Sequence, residues 1–153
     1  MLAWDGRGNF SVLTPQESGI AISGEARAIA LGDWRRDGWP AMVLTRVNEN
    51  AMALAPRRTG TGHSFAVKLT GDIGNTDAIG ARITVHCKNG AAQTVELYAG
   101  SGYLAQSEPL AFFGYTTNNE PQTIDVVWPD GTVTKHPFQA NTPRIELKKT
   151  ATM

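Results

Sequence analysis

Two aspartates in one short segment are the residues best placed to do chemistry in this sequence. Asp33 and Asp37 belong to the run Asp-Trp-Arg-Arg-Asp-Gly, which lies between two apolar stretches. This spacing follows the calcium-loop pattern D-x-[DN]-x-[DN]-G, in which alternate carboxylates converge on a cation. Arg35 and Ala41 occupy further ligand positions, so two carboxylates are left where about four are usual. Calcium binding at Asp33 and Asp37 is one interpretation. The favoured one is a turn braced by these carboxylates, and a further hypothesis is that Arg35 or Arg36 pairs with them in the place of the ion.

The other reactive side chains do not form a catalytic pattern. The histidines lie far apart, without ligand spacing, at His63, His86 and His136. The lone cysteine, Cys87, alternates with apolar residues and is predicted to be buried as a small hydrophobe. Ser101 lacks the flanking glycines of a nucleophile elbow, because Ala99 and Tyr103 occupy those positions. The sequence therefore predicts no enzymatic activity.

Aromatic and small polar residues in two loops favour binding instead. The Gly-rich loop at 100–107 contains a tyrosine and three short polar side chains: Tyr103, Ser101, Gln106 and Ser107. Trp34 and Trp39 share the turn that contains the two aspartates. Exposed aromatic faces stack on sugar rings or bury against partner proteins, while polar groups orient the ligand. If the chain has a ligand site, we expect it in the 100–107 loop, with the tryptophans as second choice. For the aromatics the favoured interpretation is packing in the core or between domains, and the polar groups can equally satisfy the loop's own backbone.

The elements that hold these loops are predicted to be β-strands. Apolar and polar residues alternate in short runs at 65–69, 83–87, 95–98 and 145–147. Turn residues separate the runs, and the pair Asn89-Gly90 is typical of a hairpin turn with two positive φ angles. Long stretches with helical spacing are absent from the sequence. We therefore expect an all-β architecture of sandwich or propeller pieces.

Composition and charge exclude several partners. Lys plus Arg and Asp plus Glu both number 14, whereas nucleic-acid-binding proteins usually carry a basic excess that neutralises phosphate. No apolar run approaches the roughly 20 residues of a membrane-spanning helix, so we expect neither nucleic-acid binding nor membrane insertion. The first residues lack the basic and apolar regions of a signal peptide. A polar, basic, Gly-rich stretch at 55–63 predicts a boundary between domains 1–56 and 57–153.

Several ordered segments resemble a known family. They are Gly-Asp-Ile-Gly-Asn-Thr-Asp-Ala-Ile-Gly-Ala-Arg at 71–82, Ala-Gly-Ser-Gly-Tyr-Leu-Ala-Gln-Ser-Glu-Pro at 99–109, Phe-Phe-Gly-Tyr at 112–115 and Val-Val-Trp-Pro-Asp-Gly at 126–131. Together they resemble the ASPIC/UnbV domain, which stands at the C-terminus of cartilage-acidic-protein-like and bacterial secreted proteins. In that family the domain usually follows FG-GAP or VCBS-type propeller repeats, and residues 26–54 look like one such repeat.

The resemblance implies a fold, a location and a function. It implies an antiparallel β-sandwich at 57–153, preceded at 1–56 by a partial repeat that is similar to a propeller blade. It also implies an extracellular or cell-envelope location and a non-catalytic module that recognises carbohydrate or a protein surface. No cofactor is implied beyond the calcium considered at Asp33 and Asp37. The alternative is a purely structural module that caps the end of the parent β-propeller and has no ligand of its own.

Overall fold

The fold consists almost entirely of short β-strands joined by turns, which confirms the all-β prediction. The computed structural model describes residues 2–5, 7–58 and 60–149. The strands are β1 (Leu2–Trp4), β2 (Phe10–Val12), β3 (Ala26–Gly32), β4 (Ala41–Arg46), β5 (Glu49–Leu54), β6 (His63–Thr70), β7 (Arg82–Cys87), β8 (Ala92–Glu96), β9 (Leu110–Tyr115), β10 (Pro121–Val127), β11 (Val133–Pro137) and β12 (Arg144–Lys148). Helical structure within these residues is limited to α1 (Pro15–Ser18) and a 3-10 turn at Thr117–Asn119.

Two sheets pack face to face and enclose the main core. β11, β10, β7 and β8 form a four-stranded sheet in that order, and β12, β6 and β9 form a three-stranded sheet. Alternation along the strands gives each sheet one apolar face, and both faces contribute to a shared cluster. Phe65 and Val67 of β6 belong to this cluster with Val85 of β7 and Ile124 of β10, and none is more than 1% exposed. The predicted antiparallel sandwich is confirmed, with one departure: β12 runs parallel to β6.

The hairpin predicted at Asn89-Gly90 does join β7 to β8, but its turn differs from the expected one. Gly90 has a φ of 84°, whereas Asn89 does not adopt a positive φ. The Asn89 Oδ1 atom instead accepts a hydrogen bond from the Ala91 N–H at 3.0 Å. A single left-handed glycine is typical of a longer hairpin loop with a bulge. The expectation of two positive φ angles is therefore wrong, because the Asn89 side chain satisfies the turn backbone.

A separate antiparallel sheet of β3, β4 and β5 has one large apolar face. Cross-strand partners share a face, and two rows of partners are apolar throughout: Ile29, Leu44 and Met52, then Leu31, Met42 and Leu54. We call the surface of these six residues the blade face. Leu44 in the central strand is 2% exposed, but Ile29 on the edge strand is 51% exposed. The blade face therefore leaves apolar surface open to solvent along β3.

The predicted boundary near residue 56 falls between β5 and β6, where the described residues form no regular element. The division into domains 1–56 and 57–153 stays a prediction, and residues 1, 6, 59 and 150–153 of these ranges lie outside the described residues. In the part of the chain that the structure describes, no helix combines the length and apolar character needed to cross a bilayer.

Candidate functional site

The turn between β3 and β4 is braced by its two aspartates. Asp33 is 2% exposed, and its carboxylate accepts hydrogen bonds from the backbone N–H groups of Asp37 at 3.0 Å and Gly38 at 3.1 Å. Asp37 Oδ1 accepts a hydrogen bond from the Trp39 N–H at 3.1 Å, and Asp37 Oδ2 pairs with Arg58. Every oxygen of both carboxylates therefore already has a partner within the chain.

These contacts bear on the predicted calcium site. The arginine that pairs with Asp37 comes from the stretch before β6, and it is neither Arg35 nor Arg36. Arg36 instead pairs with Glu146 of β12 at 3.3 Å. Across residues 2–5, 7–58 and 60–149, no three acidic, histidine or cysteine side chains are grouped so that they could hold a metal. The geometry supports the braced turn, and calcium binding by the two aspartates stays a prediction.

The braced turn docks the N-terminal sheet onto the sandwich. Gly38 is buried with a φ of 78°, and a Cβ at this position would lie 2.9 Å from Phe65 Cα and still closer to the Pro143 carbonyl oxygen. The Ser64 hydroxyl donates a hydrogen bond to the Gly38 carbonyl at 2.6 Å. The turn thus approaches the backbone of β6 so closely that only glycine fits. We call this junction, together with the contacts of Glu108 described next, the seam.

The second contact of the seam joins β3 to the segment before β9. The Glu108 N–H donates to the Leu31 carbonyl at 2.8 Å, and the Leu31 N–H donates to Ser107 Oγ at 3.1 Å. The Glu108 carboxylate accepts from the Asp33 N–H at 2.8 Å and from the Arg144 guanidinium at 3.1 Å. The Arg144 side chain is only 8% exposed. Glu108 therefore links the braced turn to a largely buried cation on β12.

The predicted ligand loop at 100–107 uses much of its polar surface internally. Gln106 Oε1 accepts a hydrogen bond from the Gly100 N–H, and Gln106 Nε2 donates to the Ser107 carbonyl at 2.9 Å. Ser107 directs its hydroxyl oxygen to β3 at the seam. Ser101 is exposed, as is Tyr103. Of the four predicted residues, Ser101 and Tyr103 are thus the two whose side chains are not engaged in bracing the loop or the seam.

The tip of this loop presents apolar surface to solvent. Tyr103 is 74% exposed and Leu104 is 84% exposed, and we call these two residues the tip pair. An isolated β-bridge between Gly102 and Ala105 closes the turn beneath them. Leu104 has a φ of 50°, a left-handed conformation that is unfavourable for a residue with a side chain. The loop therefore holds the tip pair in a defined position.

The structure separates the two tryptophans that the sequence placed in one turn. Trp34 is 49% exposed. Trp39 is half-buried and lines a cleft of about 390 Å³ beside the seam. We call this space the seam cleft, and its walls come from both parts of the chain, including Arg36, Trp39, Arg58, His63, Tyr115 and Asn141.

Sequence analysis did not predict the seam cleft. His63 of β6 and Tyr115 of β9 are cross-strand partners, and their rings stack with centroids 5.0 Å apart. Asn141 is exposed, has a φ of 61°, and belongs to the loop before β12. Neither residue lies in one of the alternating runs: His63 ends the predicted linker at 55–63, yet it begins β6. No signal in the sequence indicates that β6 and β9 are neighbours.

The seam cleft offers aromatic faces and free hydrogen-bonding groups. The Tyr115 phenol is protonated at neutral pH, as in any ordinary tyrosine, and can donate a hydrogen bond. Desolvation and the negative charge of Glu120 raise its pKa further. Within the described residues, three further polar groups form no hydrogen bond to the chain: the indole N–H of Trp39, the ring nitrogens of His63 and the side-chain amide of Asn141. The aromatic faces can stack on the ring of a ligand, and the free polar groups can orient that ring by hydrogen bonds.

The histidines and the cysteine form no common site within the described residues. The three histidines belong to different strands, β6, β7 and β11, and the structure does not bring them together. His86 pairs with Asp125 of β10 at 3.2 Å, whereas His136 contacts Thr134 at 2.9 Å. Cys87 is buried, as the alternation predicted.

Comparison with known proteins points to one family. A family model described as ASPIC and UnbV matches residues 71–152. Cartilage acidic protein 1 of Mus musculus is 39% identical over 118 residues, which cover 74% of this chain and 18% of that protein. The protein of the same name from Xenopus tropicalis is 38% identical over 106 residues, which cover 68% of this chain and 16% of that protein. The chain thus spans less than a fifth of the length of these relatives.

Proposed function

The chain belongs to the ASPIC/UnbV family, and on that premise we propose that it is a non-catalytic interaction module of an exported multi-domain protein. Its ligand is a carbohydrate or a protein surface, and its location is extracellular or in the cell envelope. The relatives are named for cartilage, which supports an extracellular location. The chain matches a small share of their length, which supports a multi-domain parent.

The tip pair is the observation that carries this proposal. Tyr103 and Leu104 together present an aromatic ring and an aliphatic side chain to solvent at the end of a loop. The bridge beneath them and the internal bonds of Gln106 already order the loop, so little conformational entropy is lost when a partner binds. Exposed tyrosines of this kind dominate the binding energy of many interfaces. The tip pair therefore suits contact with a sugar or a protein surface.

The test compares the wild-type chain with Tyr103→Ala on a glycan array and on an array of extracellular proteins. We expect a ligand on one of the arrays, and we expect Tyr103→Ala to weaken its binding by about tenfold or more. Ile73→Ala is the matched control, because Ile73 is fully exposed in a different loop. Absence of any wild-type ligand would contradict the proposed function, whereas equal binding by Tyr103→Ala and wild type would rule out the tip pair as the contact surface for that ligand.

The blade face favours a second candidate, a structural module that caps a parent β-propeller. Ile29 and Leu31 are 51% and 38% exposed on the edge strand β3, and an apolar sheet face of this kind is ordinarily covered by another layer. In this role the chain has no ligand of its own. Hydrogen exchange of β3 in the isolated chain and in the parent protein tests it. Greater protection in the parent is expected, and equal exchange rates would rule the role out.

A further inference from the structure

We propose that the seam cleft is a binding site for a neutral saccharide, in which Trp39 and the stacked His63–Tyr115 pair supply aromatic faces for a sugar ring. The inference rests on the proposed function and deepens it, because it names a second site, apart from the tip pair, and a ligand class. It depends on four properties of the cleft, which are its size, its ordered aromatic surface, its free polar groups and the pairing of its charges.

The size of the cleft suits a small cyclic ligand. Its volume is about 390 Å³. Small-molecule sites commonly enclose about 300–1,000 Å³, so this cleft lies near the lower end of that range. A space of that size accommodates one or two sugar rings but not a folded partner. Both sides of the seam contribute to the walls, so a ligand in the cleft touches the N-terminal turn and the sandwich together.

The aromatic surface is held in place before any ligand arrives. Tyr115 stacks on His63 at 5.0 Å and makes edge contacts with Phe65 at 6.1 Å and Phe138 at 5.6 Å. Phe65 is itself in the core and 1% exposed. Rings fixed in this way lose little freedom when a ligand stacks on them, which favours binding. Trp39 is anchored at its own backbone by the bond from its N–H to Asp37.

The polar groups of the cleft match the edge of a sugar ring. The indole N–H of Trp39, the phenol of Tyr115 and the amide of Asn141 have no intrachain partner in the described structure. Sugar hydroxyls both donate and accept hydrogen bonds, and these groups supply donors and acceptors around an aromatic face. A ligand that offers an apolar face and a hydroxyl-rich edge satisfies both kinds of surface at once.

The charges and the remaining lining argue against other small ligands. An anion must compete with the carboxylates that already pair with the two cleft arginines, Asp37 with Arg58 and Glu146 with Arg36. A fatty chain requires aliphatic walls, and no Leu, Ile, Val or Met lines the cleft among the described residues. An uncharged saccharide is the class that fits aromatic faces, free polar groups and paired charges together.

The experiment titrates the chain with four neutral tetrasaccharides, from the cellulose, chitin, maltose and xylan series, by isothermal titration calorimetry. We expect at least one to bind with a dissociation constant of about 1 mM or tighter. Trp39→Ala and His63→Ala should each weaken that binding by about tenfold. Trp34→Ala is the matched control, because Trp34 lies in the same turn but does not line the cleft, and it should change affinity by less than about twofold.

His63→Ala decides the outcome if the half-buried Trp39 proves necessary for folding, because His63 is exposed and its removal leaves the core intact. Binding by the wild type that is unchanged in His63→Ala overturns the cleft assignment and leaves the proposed function standing. Failure of all four sugars to bind the wild type also overturns the inference. The proposed function fails separately, when neither the glycan array nor the protein array yields a ligand for the wild-type chain.

Discussion

Replacement of Gly38 by alanine tests whether the N-terminal sheet depends on its docking at the seam. A left-handed φ, here 78°, costs an alanine about 1–2 kcal/mol. The added Cβ would lie 2.9 Å from Phe65 Cα and closer still to the Pro143 carbonyl, so two backbone segments must move. Such overpacking typically adds about 1–3 kcal/mol. We therefore expect Gly38→Ala to lower the free energy of unfolding by about 2–5 kcal/mol, a large share of the stability of an ordinary domain.

Urea unfolding followed by tryptophan fluorescence measures this loss, and hydrogen exchange locates it. The Ala66 N–H donates to the Pro143 carbonyl at 2.9 Å, so its exchange should accelerate when Pro143 is displaced. Gly131→Ala is the control, since Gly131 has a φ of 87° but no atom within 4 Å of a Cβ. Gly131→Ala should lower the free energy of unfolding only by the cost of the left-handed φ, about 1–2 kcal/mol. Equal losses in the two variants would refute the argument that close approach at the seam demands glycine.

Three further predictions concern the polar groups of the seam and of the chain end. Asp33→Ala leaves two backbone N–H groups without their acceptor and should cost about 1–3 kcal/mol in urea unfolding, with Asp33→Asn costing less. Glu108→Gln removes the charge beside the largely buried Arg144 and should lower the free energy of unfolding in urea by about 1–3 kcal/mol. An unchanged free energy of unfolding would show that the ion pair is dispensable. A hydrogen bond from Lys149, followed by those from Thr132, lowers the pKa of Asp130 from 3.8 to about 2. Because this pKa is depressed in the folded state, its stabilising contribution is complete above about pH 4 and disappears as the pH falls toward 2. Thermal unfolding measured between about pH 2 and 5 should give a melting temperature that falls with the pH in the wild type. The melting temperature of Lys149→Met should depend less on pH, because this variant lacks the cation that lowers the pKa of Asp130.

The strands of the sandwich were predictable because their pattern is local. Alternation at 65–69 and 83–87 predicts which side chains face the core, and Phe65, Val67 and Val85 are buried as that period requires. The hairpin after β7 was also predictable, although its turn geometry was not. The φ of Asn89 depends on whether its side chain bonds to the backbone of the turn, which the residue types alone do not decide.

The braced turn was half predictable. Its two aspartates and the following glycine indicate a turn held by carboxylates, and the structure places them so. The cation at Asp37 was predicted to be a neighbour in sequence, yet Arg58 takes that place. Arg58 precedes β6, and the docking of the turn onto β6 brings it close to Asp37. That pairing depends on a contact between two parts of the chain, which a reading of one segment does not reveal.

The sequence by itself determined the all-β class, the approximate strands, the family and the candidate residues of the 100–107 loop, because each follows from short-range alternation or a continuous motif. Only the tertiary structure decided that Gln106 and Ser107 brace the loop and the seam while Tyr103 stays exposed. It also decided that His63, Tyr115 and Trp39 line one cleft. The physical reason is that strand register and the docking of one sheet on another bring distant segments together, and these depend on packing over the whole chain.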